Sequence, residues 1–113
     1  MEMCPHCGFD LSRVQPIQFG NIAITEREEI VFEGRRLWLA RCQYRIVESL
    51  VRAKGRQLTR GVLAERIGGD LNETTVTKYV ERARQSFRQI NPSFDQLVSV
   101  HGFGAYRWEE RRA

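Results

Sequence analysis

Apolar and polar positions divide this chain into three regimes. From Ile17 onward the apolar residues come in short alternating runs: Ile17 and Phe19, then Ile22 and Ile24, around a turn or bulge signal at Gly20-Asn21. Ile30-Val31-Phe32 follows, Glu33-Gly34-Arg35 reads as a turn, and Leu37-Trp38-Leu39 resumes the strand. This pattern predicts a small antiparallel sheet with one face buried and one wet. Between Arg41 and Ala53 the period changes. Tyr44, Val47, Leu50 and Val51 recur at helical spacing, Ile46 broadens the stripe, and Lys54-Gly55 supplies a stop.

A second helix is short. Thr59 is a good N-cap for a segment carrying Leu63, Ala64 and Ile67, and Gly68-Gly69 ends it. A third helix runs over about 73–90 and stops before Asn91-Pro92. Its apolar stripe is Val76, Val80, Ala83 and Phe87. Leu97-Val98-Ser99-Val100 and Tyr106-Arg107-Trp108 then read as the strands of a hairpin closing on Gly102-Phe103-Gly104. The expected fold is α+β: a winged helix-turn-helix with an N-terminal antiparallel sheet, three helices and a C-terminal β-hairpin wing over about 97–108.

Residues 1–16 stand apart in composition. They hold Cys4, Cys7, His6 and two of the three prolines, with little apolar periodicity, so Pro16 marks a boundary between a 1–16 head and a 17–113 body. With 113 residues the chain fits one domain plus a small appendage. There are 18 Lys+Arg against 14 Asp+Glu, nearly all the cations being Arg, whose planar fork suits phosphate and guanine. A net charge of +4 is only suggestive of a nucleic-acid partner. No stretch approaches the roughly 20 apolar residues of a membrane span, and no charged-then-apolar leader opens the chain, so a cytoplasmic location is expected. Three cysteines argue against a disulfide framework.

At this point residues 17–108 resemble the winged-helix effector domain of the OmpR/PhoB response-regulator type. The resemblance rests on Phe19-Gly20-Asn21-Ile22-Ala23-Ile24 and Gly34-Arg35-Arg36-Leu37-Trp38-Leu39 in the sheet. It continues through Gln43-Tyr44-Arg45-Ile46-Val47 and Leu50 in the first helix, then Thr59-Arg60 and Leu63 in the second. Thr75-Val76 and Val80-Glu81-Arg82-Ala83-Arg84 carry it in the third helix, and Val100-His101-Gly102 with Gly104-Ala105-Tyr106-Arg107-Trp108 carry it in the wing. No single motif is specific, but their order and spacing are. The chain also departs from the family. No receiver domain is expected ahead of the unit, Ala40 stands where a helix-capping Thr is usual, His101 replaces a common wing-tip Arg, and Ala105 looks like an extra residue in the turn.

The resemblance implies a sequence-specific, double-stranded DNA-binding transcription regulator. The third helix would enter the major groove, and the wing would touch backbone or minor groove. With the apolar stripe inward, the opposite helix face centres on Lys78 and Gln85, flanked by Thr74, Glu81, Arg82 and Arg88. Thr75 and Thr77 belong to the N-terminal turn, which enters the groove first. The expected DNA contacts are therefore Thr74, Thr75, Thr77, Lys78, Arg82, Arg84, Gln85, His101 and Arg107. Arg84 is a phosphate candidate, as the resemblance also implies. Glu81 would accept from cytosine or hold Arg82 or Gln85. The bland alternatives are a solvated mixed-charge face for the helix, and for Arg107 a pairing across the hairpin or with Glu109.

Cys4-Pro5-His6-Cys7-Gly8 has zinc-knuckle spacing, two thiolates that can grip one metal. Such a pair is half of a tetrahedral structural site. The remaining ligands would be Cys42 and a histidine, His101 or His6, or a second knuckle from another chain, giving a zinc-stapled homodimer. His6, lying between the cysteines, is badly placed to close on the same metal. Cys42 also reads as an ordinary half-buried thiol, and the CxxC pair as a redox dithiol lacking its usual βαβ setting. A rival function is a protein-interaction module docking on RNA polymerase or another DNA-processing protein. No acid/base constellation emerges, so an enzyme is not expected.

Overall fold

A computed structural model describes residues 15–68, 72–100, 102 and 104–112. Strands β1 (Ile17–Phe19), β2 (Ile22–Ile24), β3 (Ile30–Phe32) and β4 (Arg35–Leu37) form an antiparallel meander in chain order. The register pairs Ile17 with Ile24, Ile22 with Phe32 and Ile30 with Leu37. Strand alternation puts Ile22, Ile24, Ile30 and Phe32 on one face, each at most 1 % exposed, while Ala23 and Val31 point the other way and stay partly wet. The sheet is therefore one-sided, as its sequence pattern predicts. Its last strand lies two residues earlier than expected, beginning at Arg35, which the sequence pattern assigned to the turn. The run Leu37-Trp38-Leu39 does not continue as strand: β4 ends at Leu37, Leu39 is buried, and Trp38 between them is 83 % exposed.

Helix α1 (Arg41–Arg52) starts without a side-chain cap, since Ala40 has no oxygen to offer, and the Tyr44 amide bonds directly to the Ala40 carbonyl at 2.9 Å. Glu28 from the β2–β3 turn ion-pairs with Arg41 in that first turn at 2.8 Å, which brings a carboxylate to the positive end of the helix. Strand β5 (Leu58–Thr59), absent from the sequence expectation, leads straight into α2 (Arg60–Ile67), whose first turn is closed by Thr59 Oγ1 accepting from the Val62 amide. Helix α3 (Glu73–Ile90) is capped by Asn72, whose Oδ1 accepts from both the amide and the hydroxyl of Thr75. Strands β6 (Leu97–Val100) and β7 (Ala105–Trp108) make the hairpin, and β5 adds to β7 to give a three-stranded sheet in the order β5-β7-β6.

Ala105 corrects a second expectation. It is not an extra turn residue but the first residue of β7, 2 % exposed, paired with Val100 on one side and Thr59 on the other. The unforeseen β5 is the reason: a strand on each side of β7 draws Ala105 into the ladder.

The core joins all these elements. Val76, Val80, Ala83 and Phe87 of α3 are all fully buried, as are Ile46, Val47, Leu50 and Val51 of α1 and Leu63 of α2. Phe32, Phe87, Phe94 and Trp108 form an aromatic nucleus in which Phe87 and Phe94 stack at 4.8 Å and Phe32 and Trp108 meet Phe87 edge-on at 5.0 and 5.3 Å. One residue each from β3, α3, the following loop and β7 thus meets at a single point. A buried amide pair locks the two sheets: Asn21 and Gln96 exchange hydrogen bonds at 2.9 Å, and Gln96 Nε2 also donates to the Glu109 carbonyl. Beside it, Gly20 (φ +66°) lets the β1–β2 turn lie against the Arg111 carbonyl, which a Cβ there would strike. Among the described residues no helix is long and apolar enough to cross a membrane.

Candidate nucleic-acid interface

The core stripe of α3 decides what its other side presents. At 100° per residue, side chains four and three apart line up, so burying Val76, Val80, Ala83 and Phe87 turns Thr74, Lys78, Arg82 and Gln85 outward. All four are exposed, with Glu81 and Arg88 beside them. Cations and amides at this spacing form a stripe of donors along α3, a pattern suited to phosphate oxygens and base edges.

The three threonines at the helix start separate. Thr74 is exposed. Thr75 is half-buried and its hydroxyl bonds to the Asn72 cap at 3.0 Å. Thr77 is half-buried and receives the Tyr106 hydroxyl from the wing at 3.4 Å. Only Thr74 of the three lies on the outer stripe.

Arg84 is turned inward, with 15 % of its side chain exposed. Its Nε and Nη2 both donate to the Leu97 carbonyl, at 3.0 and 2.8 Å, and Nη2 donates also to Ser99 Oγ at 2.9 Å. Its Nη1 pairs with Glu81, and the guanidinium carbon lies 5.8 Å from the centre of the Tyr106 ring. Glu81 therefore holds Arg84, not Arg82 or Gln85 as its sequence position suggested. The pairing also neutralises a carboxylate on the exposed side of α3.

In the wing, Arg107 lies 3.7 Å from Glu109, so the pairing anticipated for it is present, with 37 % of its side chain still exposed. His101 and the turn residue Phe103 lie outside the described residues. Gly102 and Gly104 take φ of +86° and +58°, the left-handed region that a side chain rarely adopts.

Sequence reasoning missed Arg60. Its amide donates to the Gly104 carbonyl at 2.9 Å, and its side chain lies over that glycine so closely that a Cβ would sit 2.8 Å from Nη2. With Ser99 and Tyr106 it lines a cleft of about 320 Å3 where α2 meets the wing. One signal was available. Arginine in the first turn of a helix opposes the helix dipole, and such a placement asks for a partner outside the helix.

Of the five metal candidates, Cys42 alone lies among the described residues. Cys4, His6, Cys7 and His101 lie outside the described residues, and Cys42 is half-buried in the first turn of α1. Among the described residues no group of three or more His, Cys, Asp or Glu side chains is placed to hold a metal ion. A second cleft, of about 510 Å3, lies between β4 and α1, with Trp38, Leu37 and Tyr44 in its lining and the Glu28–Arg41 and Glu29–Arg36 ion pairs at its rim.

No family model matches the chain. It is 29 % identical over 87 residues to the transcriptional regulatory protein SpaR of Bacillus subtilis, an alignment covering 74 % of this chain and 38 % of that protein. The chain thus spans well under half the length of this curated relative. Among solved structures it is similar to the DNA-binding domain of the response regulator AdeR in complex with an intercistronic region, with a TM-score of 0.73 and 25 % identity over 83 % of this chain and 99 % of that one. It is similar in fold to the response regulator DrrB, an OmpR/PhoB homolog of Thermotoga maritima, with a TM-score of 0.69 and 20 % identity over 83 % of this chain and 44 % of that one. The strand meander, three helices and terminal hairpin of this chain are the winged-helix fold of OmpR/PhoB-type DNA-binding domains.

Proposed function

We propose that the chain is a sequence-specific, double-stranded DNA-binding transcription regulator acting in the cytoplasm. Helix α3 enters the major groove and the wing reaches the neighbouring backbone or minor groove. The observation that carries this reading is the outward stripe Thr74, Lys78, Arg82 and Gln85, opposite a fully buried stripe and beside a hairpin wing. The AdeR domain, similar along nearly its whole length, is a DNA complex, which supports the same use of the same fold. Lys78 and Arg82 would meet base edges or phosphates, and Gln85 an adenine edge. Thr75 and Thr77 would set the helix entry more than touch DNA.

Fluorescence anisotropy against the protein's own upstream region and a scrambled duplex, across a salt series, tests the reading. Expected are tighter binding to the first and a logarithmic salt slope of about −0.9 per phosphate neutralised. Weak, equal and salt-independent binding would remove it.

Two finer readings accompany it. Cys4 and Cys7 would hold structural zinc, completed by the same pair from a second chain, so that metal loading and homodimerisation go together. The CxxC spacing supports this; retained stoichiometric zinc in a Cys4→Ser, Cys7→Ser double variant would dispose of it. The second is a contact to RNA polymerase, favoured by Trp38, a large apolar side chain 83 % exposed beside the cleft between β4 and α1. Trp38→Ala should then weaken capture of purified polymerase and leave DNA affinity alone.

A further inference from the structure

We infer that Arg84 is a positioning residue: it fixes the wing against α3, so that the two elements approach DNA as one rigid reader. The inference rests on the DNA-binding reading above and reassigns a residue expected to touch phosphate. Leu97 and Ser99, which receive its N–H groups, belong to β6, one of the two outer strands of the β5-β7-β6 sheet. An outer strand has backbone groups with no neighbouring strand to pair with, and here the Leu97 carbonyl is satisfied from α3 by Nε and Nη2 together. The bonds to Glu81 and Ser99 occupy further donors, so of the five guanidinium N–H groups a single one, on Nη1, is left for a ligand.

The seam has more than one stitch. Thr77, Glu81 and Arg84 are spaced four and three apart and so lie along one line of α3, distinct from the outward stripe. Thr77 receives the Tyr106 hydroxyl, Glu81 holds Arg84, and Arg84 lies over the Tyr106 ring and bonds to β6. Lysine could not do the same work. A single ammonium on a flexible stem can meet the Leu97 carbonyl or Ser99 but lacks the planar fork that spans both while stacking on a ring. A direct phosphate contact carries no load in the free protein, so substitution there would leave amide exchange in β6 and β7 unchanged. The conservative substitution therefore separates the two roles.

The experiment compares the native chain with Arg84→Lys, Arg84→Ala and Ser99→Ala, the last a mild change in the same seam should Arg84→Ala fail to fold. Amide hydrogen exchange is measured on each free protein, and DNA affinity with a hydroxyl-radical footprint on the complex. Expected for Arg84→Lys is faster exchange confined to β6 and β7, unchanged exchange in β1–β4, and about tenfold weaker binding. Hydroxyl-radical protection under the wing should be lost, while protection of guanine N7 from dimethyl sulfate in the major groove is retained. Ser99→Ala should move in the same direction by less. Native-like exchange in Arg84→Lys would overturn the inference in favour of a phosphate contact. Faster exchange across β1–β4 as well would overturn it in favour of a general loss of stability. If the native chain binds no duplex, the regulator reading fails by itself, and the exchange pattern still decides whether Arg84 fixes the wing.

Discussion

Arg82 and Arg84 stand two residues apart on α3 and belong to different machines. About 200° of helix rotation separates them. Arg82 is exposed on the outward stripe with Lys78 and Gln85, whereas Arg84 is 15 % exposed and tied to β6. The outer face of α3 is polar, solvated and lightly bonded; the seam between α3 and the wing is nearly saturated with hydrogen bonds. The comparison teaches that a basic residue on a reading helix is assigned by the direction it points, not by its charge. Two regions built from the same few residue types can then be broken independently.

The largest effect should come from removing what both regions lean on. Phe87 is fully buried and meets Phe32, Phe94 and Trp108. Phe87→Ala should cost about 3–5 kcal/mol in denaturant unfolding, because the cavity lies where β3, α3 and β7 converge and none can move in alone. DNA binding and wing order would be lost together. A variant that unfolded at native denaturant concentrations would show that the aromatic nucleus is not the common support.

On the outer face, Arg82→Ala should weaken binding to the preferred duplex by about 1–3 kcal/mol if the guanidinium reads a base edge, with stability unchanged. Lys78→Ala is expected to weaken binding to preferred and scrambled duplexes alike if the ammonium meets phosphate, and to reduce the salt slope by about one. The pair sharpens the comparison, since neither should alter amide exchange in β6 or β7. Any such change would mean that the outer face and the seam are one unit.

At the wing base, Gly104→Ala tests the seam from its other side. The residue sits at φ +58° with the Arg60 guanidinium over it. The left-handed conformation should cost alanine about 1–2 kcal/mol, and the new Cβ must push Arg60 aside. Chemical unfolding should register the strain, and binding should fall with it if Arg60 and the wing act together. Undiminished affinity would place Arg60 outside the interface.

Much of this was legible in the sequence where the cause is local. The stripe Val76, Val80, Ala83 and Phe87 is a periodic signal, and all four residues are fully buried. Thr59 announces a cap by its own chemistry and makes the expected bond to the Val62 amide. What escaped has distant causes. β5 is two residues long and exists because β7, far along the chain, offers it a partner. Ala105 looks like part of a glycine turn until that second neighbour is counted. Trp38 extends an apolar run in the sequence, yet the strand ends before it and leaves it in solvent. Arg84 carries the same side chain as any phosphate contact, and its inward turn is dictated by a carbonyl thirteen residues away on β6.

The smallest expected effect is at Arg107, and it bears most directly on where the outer face ends. Arg107 and Glu109 are 3.7 Å apart, each more than a third exposed, and Glu109 also pairs with Arg111 at 2.8 Å. An exposed pair at that distance, whose carboxylate has a second partner, contributes little to folding; Arg107→Ala should shift stability by no more than about 0.5 kcal/mol. Its effect on DNA affinity is then a clean reading of contact, because nothing structural has moved. A several-fold loss that fades at high salt would extend the interface from α3 onto the wing strand. An affinity unchanged at every salt concentration would leave Arg107 as a local partner of Glu109 and confine the wing's contribution to the hairpin tip.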